Sequence, residues 1–246
     1  GGNKITAANV NSIYYLVEND RWVPMEPVRA AEKGSVLDFS GLLDAPAGKY
    51  GWLKVDAAGH FYAEKAPGLQ VRLWGVNIDG DSLVLEKKEA EALADELAAC
   101  GYNAVRFHHI EKALVDRSKQ DSRLLDPALV DKFDYLFYCM KKRGLYITID
   151  LYCTRRALAD EAKQTNNVLP KGCRKLKHHF RLTPEGLANW QDFARIMLNR
   201  VNPYTGLVWS QDPALYGIVL INEDFPYNVD KHKQLGPIEL AGYKDY

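Results

Sequence analysis

The chain has 246 residues, of which 47% are hydrophobic and 26% are charged, and its formal net charge is zero. This length and composition are typical of a globular protein with a sizeable buried core. The balanced charge gives no reason to expect nucleic acid or an anionic membrane as a partner, and no apolar stretch approaches the ~20 residues of a membrane span.

Short alternating runs and turns characterise the first part of the chain. SVLDFSGLL (35–43), YGWLKV (50–55) and FYAE (61–64) have the pattern of strands. The turn DAAGH (56–60) separates the last two runs and predicts a hairpin. We therefore expect residues 1–70 to form a small β-rich segment.

From residue 71 onward, strands alternate with helices. Four apolar runs predict strands: LWGVNI, YNAVRFHHI, LYITIDLY and DPALYGIVLINE. Three amphipathic runs predict helices: LEKKEAEALADELAACG, DPALVDKFDYLFYCMKKRG and the run that begins at Thr183-Pro184. A long polar insertion, roughly 153–182, separates the third strand from the last helix. Such an alternation predicts a parallel sheet with helical crossovers.

Two of the predicted strands have one apolar face and one polar face. In the third strand the two isoleucines share one face and Asp150 lies on the other. In the second strand, Val105 and Phe107 oppose Arg106 and His108. A doubly wound sheet would be apolar on both faces. The polar faces therefore favour a barrel, in which active groups lie at the carboxyl ends of the strands.

Each polar residue at these strand ends has a functional and a structural interpretation. Glu223, preceded by Asn222, ends the last apolar run, and the pair favours a functional role. Arg106 has a structural ion pair as its alternative, because a buried charge needs a partner. For His108, sugar binding and a structural hydrogen bond are equally supported. Asp150 could cap a turn, but its place at the carboxyl end of a strand favours a site role.

The other histidines and the cysteines favour structural interpretations. By parity, His109 lies on the helix-facing side of its strand and is expected to be a structural histidine. The loop histidines lack metal-ligand spacing, so no metal site and no cofactor are predicted. Cys153 and Cys173 flank a loop, but their spacing alone does not favour a disulfide over two free thiols.

The runs RLWGVNI, NAVRFHH and VNPYTGLVWSQDPALYGIVLINE, together with residues 125–152, resemble the cellulase-like (β/α)8 glycoside hydrolases of clan A. The resemblance covers nearly all of residues 36–226 and is greatest to a bacterial branch in which a small strand-rich segment precedes the barrel. Its most specific motifs are the Asn-Glu pair after the fourth strand and the arginine of the second. It implies an α/β fold of the (β/α)8 TIM-barrel type, with residues 71–246 as the first half of the barrel domain.

The resemblance also implies an activity, the retaining hydrolysis of O-glycosyl bonds in poly- or oligosaccharides. Glu223 becomes the general acid/base, Asn222 the ligand of the sugar 2-hydroxyl, and Arg106 a partner of the nucleophile. Many relatives have Pro or Asn immediately after the glutamate, where this chain has an aspartate. The further candidate subsite residues are His108, Asp150 and Asn77.

The number of predicted strands limits this interpretation. A complete barrel has eight strands and ~250 residues, whereas four strands are predicted here. In the family the nucleophilic glutamate follows the seventh strand, so we expect the first part of a longer enzyme, truncated before its nucleophile. One alternative is a natural half-barrel completed by a homodimer. Another is a non-catalytic carbohydrate-binding or assembly module.

Two further expectations concern chemistry and location. A barrel enzyme of another chemistry, such as a lyase or an aldolase, is disfavoured because the sequence offers neither a strand-end lysine nor a metal-ligand cluster. The expected partner is a carbohydrate. A secreted or periplasmic location is expected. The cytoplasm is the alternative, because the chain shows no signal segment.

Overall fold

A computed structural model describes residues 19–21, 31–166, 168, 177 and 183–223. These residues form a three-stranded antiparallel sheet followed by a four-stranded parallel sheet. The strands are β1 (Leu53–Val55), β2 (Phe61–Ala63), β3 (Ala66–Val71), β4 (Gly75–Asp79), β5 (Ala104–His108), β6 (Tyr146–Asp150) and β7 (Leu215–Val219). The α-helices are α1 (Lys87–Ala99), α2 (Ile110–Leu114), α3 (Pro127–Lys142), α4 (Ala159–Gln164) and α5 (Pro184–Leu198).

The small antiparallel sheet contains the predicted hairpin. β1 and β2 pair around the turn at 56–60, where the Asp56 carboxylate accepts the backbone N–H groups of Ala58 and His60, both at 2.8 Å. β3 adds to the other edge of β2 and was not predicted. Its sequence APGLQV contains a proline and a glycine, which weaken a strand pattern. The proposed boundary at residue 70 stays a prediction.

The predicted strand at 35–43 is wrong. This stretch turns instead of extending, and it contains a short 3-10 helix at Ser40–Leu42. The Asp38 carboxylate accepts the backbone N–H of Gly34 at 2.8 Å and that of Ser40 at 3.0 Å. Such local side-chain bonds to the backbone compete with strand pairing. They give this stretch of apolar residues a turned conformation.

The parallel sheet confirms the predicted alternation. Its strand order is β4-β5-β6-β7, with α1, α3 and α5 in the three crossovers. Asp126 caps α3 by accepting the N–H of Ala128 at 2.9 Å, and the left-handed Gly101 and Gly144 (φ +80° and +91°) follow the ends of α1 and α3. No helix in the described part of the chain is long and apolar enough to cross a membrane.

The outer face of the parallel sheet packs against the helices and forms the main core. Phe107 and Ile149 on this face are fully buried, as strand parity predicted. They belong to one cluster with an aromatic group in which the Trp209 ring lies 5.1 Å from that of Phe133 and 4.4 Å from that of Phe137. Ring pairs of this kind stabilise a core beyond the area that they bury.

The inner face of the sheet is polar. Asn77, Arg106, Thr148 and Gly217 are register partners and form one row across the four strands. A Cβ atom at Gly217 would lie 2.9 Å from the Thr148 Oγ1 atom, so glycine leaves room for the threonine hydroxyl. The sheet therefore carries polar groups along its inner face toward the carboxyl ends of the strands.

The core assignment predicts the outcome of a truncation at Phe137. We expect Phe137→Ala to lower the free energy of unfolding by about 3–5 kcal/mol, because it removes a fully buried ring and leaves a cavity. Urea unfolding followed by circular dichroism measures this change. Ile196→Ala, at a position that is 40% exposed, is the control and should have a much smaller effect. Equal losses in the two variants would contradict the packing described above.

Candidate active site

One buried carboxylate lies at the centre of the polar strand ends. Asp150, the last residue of β6, has no exposed surface. Its Oδ1 atom accepts the Arg106 Nε–H at 3.0 Å, and its Oδ2 atom accepts the Arg106 Nη2–H at 2.7 Å. The same Oδ2 atom contacts His108 Nδ1 and accepts from the Cys153 thiol at 3.4 Å. Both carboxylate oxygens are thus occupied.

Arg106 links Asp150 to the segment that follows β7. Its Nη2 atom also donates to the Asn222 Oδ1 atom at 2.9 Å. The side chain is 38% exposed, and its Nη1 atom has no hydrogen-bond partner among the described residues. The hydrogen bonds to Asp150 raise the pKa of the Arg106 guanidinium, and the Glu223 carboxylate contributes a weaker attraction. Arg106 therefore stays cationic, and no described residue bonds the N–H donors of its Nη1 atom.

Asn222 and Glu223 lie beyond the last strand and not inside it. β7 ends at Val219, and the chain turns before the pair. The Asn222 backbone N–H donates to the Tyr152 carbonyl at 2.8 Å, and the Lys177 ammonium donates to the Asn222 carbonyl. Three contacts thus hold Asn222: a side-chain bond to Arg106 and two backbone bonds. No local pattern in the sequence indicates the Lys177 contact.

Glu223 is exposed and has a left-handed backbone with φ +51°. This region is uncommon for residues other than glycine and costs about 1–2 kcal/mol. Strained backbone of this kind clusters at functional sites, where the surrounding structure enforces it. The observation adds a structural argument for a functional Glu223 to the one from sequence.

The two histidines after β5 each face a carboxylate. The ring centroids of His108 and His109 lie 3.8 Å apart. His108 contacts Asp150, and His109 Nδ1 lies 3.0 Å from the Asp79 Oδ2 atom. His109 also has a left-handed backbone, with φ +54°, at the start of α2. Nδ1 is nevertheless without a hydrogen-bond partner in the described part of the chain, so the structural role expected for His109 stays a prediction.

Sequence reasoning missed a group of possible metal ligands. One donor atom each from His108, His109 and Cys153 lies within 4.8 Å of the others. Cys153 carries a free thiol, while Cys173 lies outside the described residues. Burial raises the pKa of the Cys153 thiol, and the Glu111 and Asp150 carboxylates raise it further. The thiol is thus protonated, and the Arg106 guanidinium nearby disfavours a cation, so the group fits a hydrogen-bonded cluster better than a metal centre.

A second buried carboxylate, Glu111 on α2, orders the segment after β6. Its Oε1 atom accepts the backbone N–H groups of Cys153 at 2.6 Å and Arg155 at 3.1 Å, and also that of Thr154. Glu111 is only 2% exposed. Its role could not be inferred from sequence, because more than forty residues separate it from the segment that it holds.

The predicted site residues are therefore only partly assembled into one network. Arg106, His108, Asp150 and Asn222 are connected by hydrogen bonds, and Glu223 follows Asn222 directly. Asn77 is the register neighbour of Arg106 and is exposed, but it makes no side-chain hydrogen bond within the described residues.

The geometry predicts unequal effects of breaking the Arg106–Asp150 pair. We expect Arg106→Met to lower the free energy of unfolding by about 3–5 kcal/mol, because it leaves the buried Asp150 carboxylate without its main cation. Asp150→Asn should cost less, since the partly exposed guanidinium gains water. The double variant should lose less than the sum of the two single losses.

Urea unfolding of all four proteins measures the coupling between the two residues. Arg143→Met is the matched control, because its partner Asp95 is 66% exposed and such pairs contribute about 0–1 kcal/mol. Additive losses at Arg106 and Asp150, to within about 0.5 kcal/mol, would contradict a buried pair.

The cysteines should differ in reactivity. Because the thiolate is the reactive form, the raised pKa and the burial of Cys153 predict slow alkylation. Cys100 is exposed and should react first. Iodoacetamide labelling of the folded protein, read by peptide mass spectrometry, measures both rates. Labelling of Cys153 as fast as that of Cys100 would contradict the cluster around Asp150.

Comparisons with known proteins give a fold. No protein-family model and no curated protein matches the sequence. An endo-1,4-beta-mannanase from Rhizomucor miehei is similar in structure, with 15% identity, a TM-score of 0.52 and coverage of 71% of this chain and 51% of that chain. A glycoside hydrolase family 5 mannosidase from the same organism matches at 18% identity and a TM-score of 0.54, and the match covers 71% of this chain and 49% of that chain.

The same kind of mannosidase, in complex with mannosyl-fructose, matches at 15% identity and a TM-score of 0.55, covering 78% of this chain and 53% of that chain. The chain thus spans about half the length of the structures that it matches. At such low identity the likeness concerns the fold alone. It confirms the fold class expected from the sequence: the chain folds as part of a (β/α)8 barrel.

Proposed function

We propose that this chain carries the acid/base and sugar-binding part of a retaining β-glycosidase centre. Glu223 is the general acid/base, and Asn222 binds the 2-hydroxyl of the sugar at the cleaved bond. The main support is the hydrogen-bonded connection from Asp150 through Arg106 to Asn222, which orients the residue next to an exposed, backbone-strained Glu223.

The bonding of Asn222 supports its proposed role. Its Oδ1 atom accepts from Arg106, so its amide Nδ2 group points its two N–H donors elsewhere, and these have no partner among the described residues. An amide donor held in this way can bond a sugar hydroxyl. Hydrogen bonds to the 2-hydroxyl strengthen as positive charge develops at the anomeric carbon.

Arg106 supports the second half of the mechanism. Retaining glycosidases use two carboxyl groups about 5–5.5 Å apart, one as acid/base and one as nucleophile. Asp150 has no open oxygen and is unsuited to be the nucleophile. The Nη1 atom of Arg106, which no described residue bonds, can donate hydrogen bonds to a further carboxylate. The proposal therefore assigns the nucleophile to a residue outside those described.

The substrate in the proposal is a β-linked glycan. Since the similar structures include an endo-1,4-beta-mannanase and a mannosidase, β-1,4-mannosides are the first substrates to test. Sugar binding without hydrolysis is the second candidate function. It is favoured by the fully bonded state of Asp150, the carboxylate paired with Arg106.

Glu223→Gln tests the assignment of the acid/base. We expect hydrolysis of β-1,4-mannotetraose, measured on protein that includes the nucleophile, to fall about 10²–10⁴-fold, the usual contribution of general acid catalysis. An aryl β-mannoside with a good leaving group should lose less, because its departure needs little protonation. Glu32→Gln, a change at an exposed position of the N-terminal segment, is the control.

The outcomes separate the two candidate functions. Full activity of Glu223→Gln on mannotetraose would refute the acid/base role. Wild-type protein that includes the remainder of the barrel and binds the oligosaccharide without cleaving it, with binding lost in Asn222→Ala, would support the sugar-binding function instead. Isothermal titration calorimetry provides the binding measurement.

A further inference from the structure

A pocket of about 750 Å³ lies beside the candidate site. Its volume falls within the ~300–1,000 Å³ usual for small-molecule sites. α2 and the loop after it form one side, and the segment after β6 forms the other. The pocket adjoins the candidate site because His109 lines it and its ring lies 3.8 Å, centroid to centroid, from that of His108, which contacts Asp150.

The lining of this pocket is strongly basic, although the whole chain has no net charge. It contains one carboxylate, Glu111, whose Oε1 atom is bonded to three backbone N–H groups. The basic side chains of the lining are Lys112, Arg117, Lys119, Arg155 and Arg156.

Four of these five cations form no ion pair within the described part of the chain, although Arg117 Nη2 donates to the Lys112 carbonyl at 3.2 Å. Arg155 is buried and paired with Glu161, its Nη1 atom lying 3.2 Å from the carboxylate. The other four are exposed, and none forms an ion pair with a described acidic side chain. Lys119 interacts with the Asp116 carboxylate only through a weaker, longer-range attraction. The rim of the pocket therefore carries positive charge that the described protein does not neutralise.

Two residues of the lining also contain polar atoms without a hydrogen-bond partner in the described part of the chain, the Nε atom of Arg155 and the Oε2 atom of Glu111. Both atoms have almost no accessible surface, so they are closed to a ligand in the pocket. The exposed cations of the rim are therefore the groups that a ligand would meet.

We propose that this pocket binds the anionic substituent of an acidic glycan, either the carboxylate of a uronic acid or a sulfate ester. The inference rests on the proposed function, because it makes the pocket a subsite next to the sugar that Asn222 and Glu223 hold. The exposed cations at the rim attract the substituent. Since lysine and arginine supply the charge, this preference should persist across neutral pH and weaken with added salt.

A matched pair of oligosaccharides tests the proposal on the 246-residue chain. β-1,4-Tetramannuronate and β-1,4-mannotetraose share a backbone and differ in having a carboxylate or a hydroxymethyl group on each sugar. Sulfated mannotetraose and inorganic sulfate are the other probes. We expect calorimetry at low salt to give at least about tenfold tighter binding of one acidic oligosaccharide, as several exposed ion pairs together would produce.

Charge reversal locates the preference in the protein. Lys119→Glu with Arg156→Glu should remove the preference for the acidic ligand and leave mannotetraose binding unchanged. Lys65→Glu with Lys88→Glu changes the net charge equally at exposed positions outside the pocket and should keep the preference. The milder pair Lys119→Gln with Arg156→Gln repeats the test if the reversed protein does not fold by circular dichroism.

Each result decides the question. Loss of the preference in the pocket variants alone supports the proposal, and the better acidic ligand distinguishes a carboxylate from a sulfate. Equal binding of acidic and neutral ligands, a preference that survives charge reversal, or binding of inorganic sulfate alone would overturn it. None of these results changes the hydrolysis measured with Glu223→Gln, so a failure here remains distinct from a failure of the proposed function.

Discussion

The buried Asp150 carboxylate is the constraint on which the arrangement of the strand ends depends. A carboxylate without exposed surface costs several kcal/mol unless charged and hydrogen-bonding partners surround it. Arg106 and His108 come from β5, and Cys153 comes from the segment that follows β6. Because Arg106 also bonds Asn222, one buried charge connects the ends of three consecutive strands.

Glu111 has the same role one step further from the sheet. Its carboxylate holds the backbone of the segment after β6 against α2, so the mouth of the partial barrel is bounded by an ordered loop. The two carboxylates differ in their surroundings. Arg106 offsets the charge of Asp150 inside the network. Glu111 is bonded mainly by neutral N–H groups, and the exposed cations at the rim near it form no ion pair with a described acidic side chain. A pocket that favours anions thus lies next to a site built on a carboxylate.

The fold and the site carry different kinds of evidence. Similarity in fold at 15–18% identity extends over about half of the matched structures, and one fold of this type supports many activities. Particular atoms support the proposed glycoside chemistry instead. These are the amide donors of Asn222 and the Nη1 donors of Arg106, which no described residue bonds, and the left-handed backbone of Glu223.

The sequence alone determined the elements whose signals are local. The period-two pattern of β5 and β6 separated the buried outer face from the polar inner face, and the ends of α1 and α3 followed from Gly101, Gly144 and the Asp126 cap. Local signals failed at 35–43, where a side chain bonds its own backbone, and at β3, which lacks the residues typical of a strand. The location of the candidate site at the strand ends stays a prediction.

Only the tertiary structure decided how the site residues meet. Arg106 bonds partners 44 and 116 residues away, and Glu111 holds a segment 42 residues away. No periodicity or cap encodes such contacts, because they depend on the register of neighbouring strands and on which buried charges pair. For the same reason Asp150 became a buried partner of Arg106, with its oxygens closed to a substrate. The sequence established which residues lie at the carboxyl ends of the strands, and the packing of those ends established their bonds.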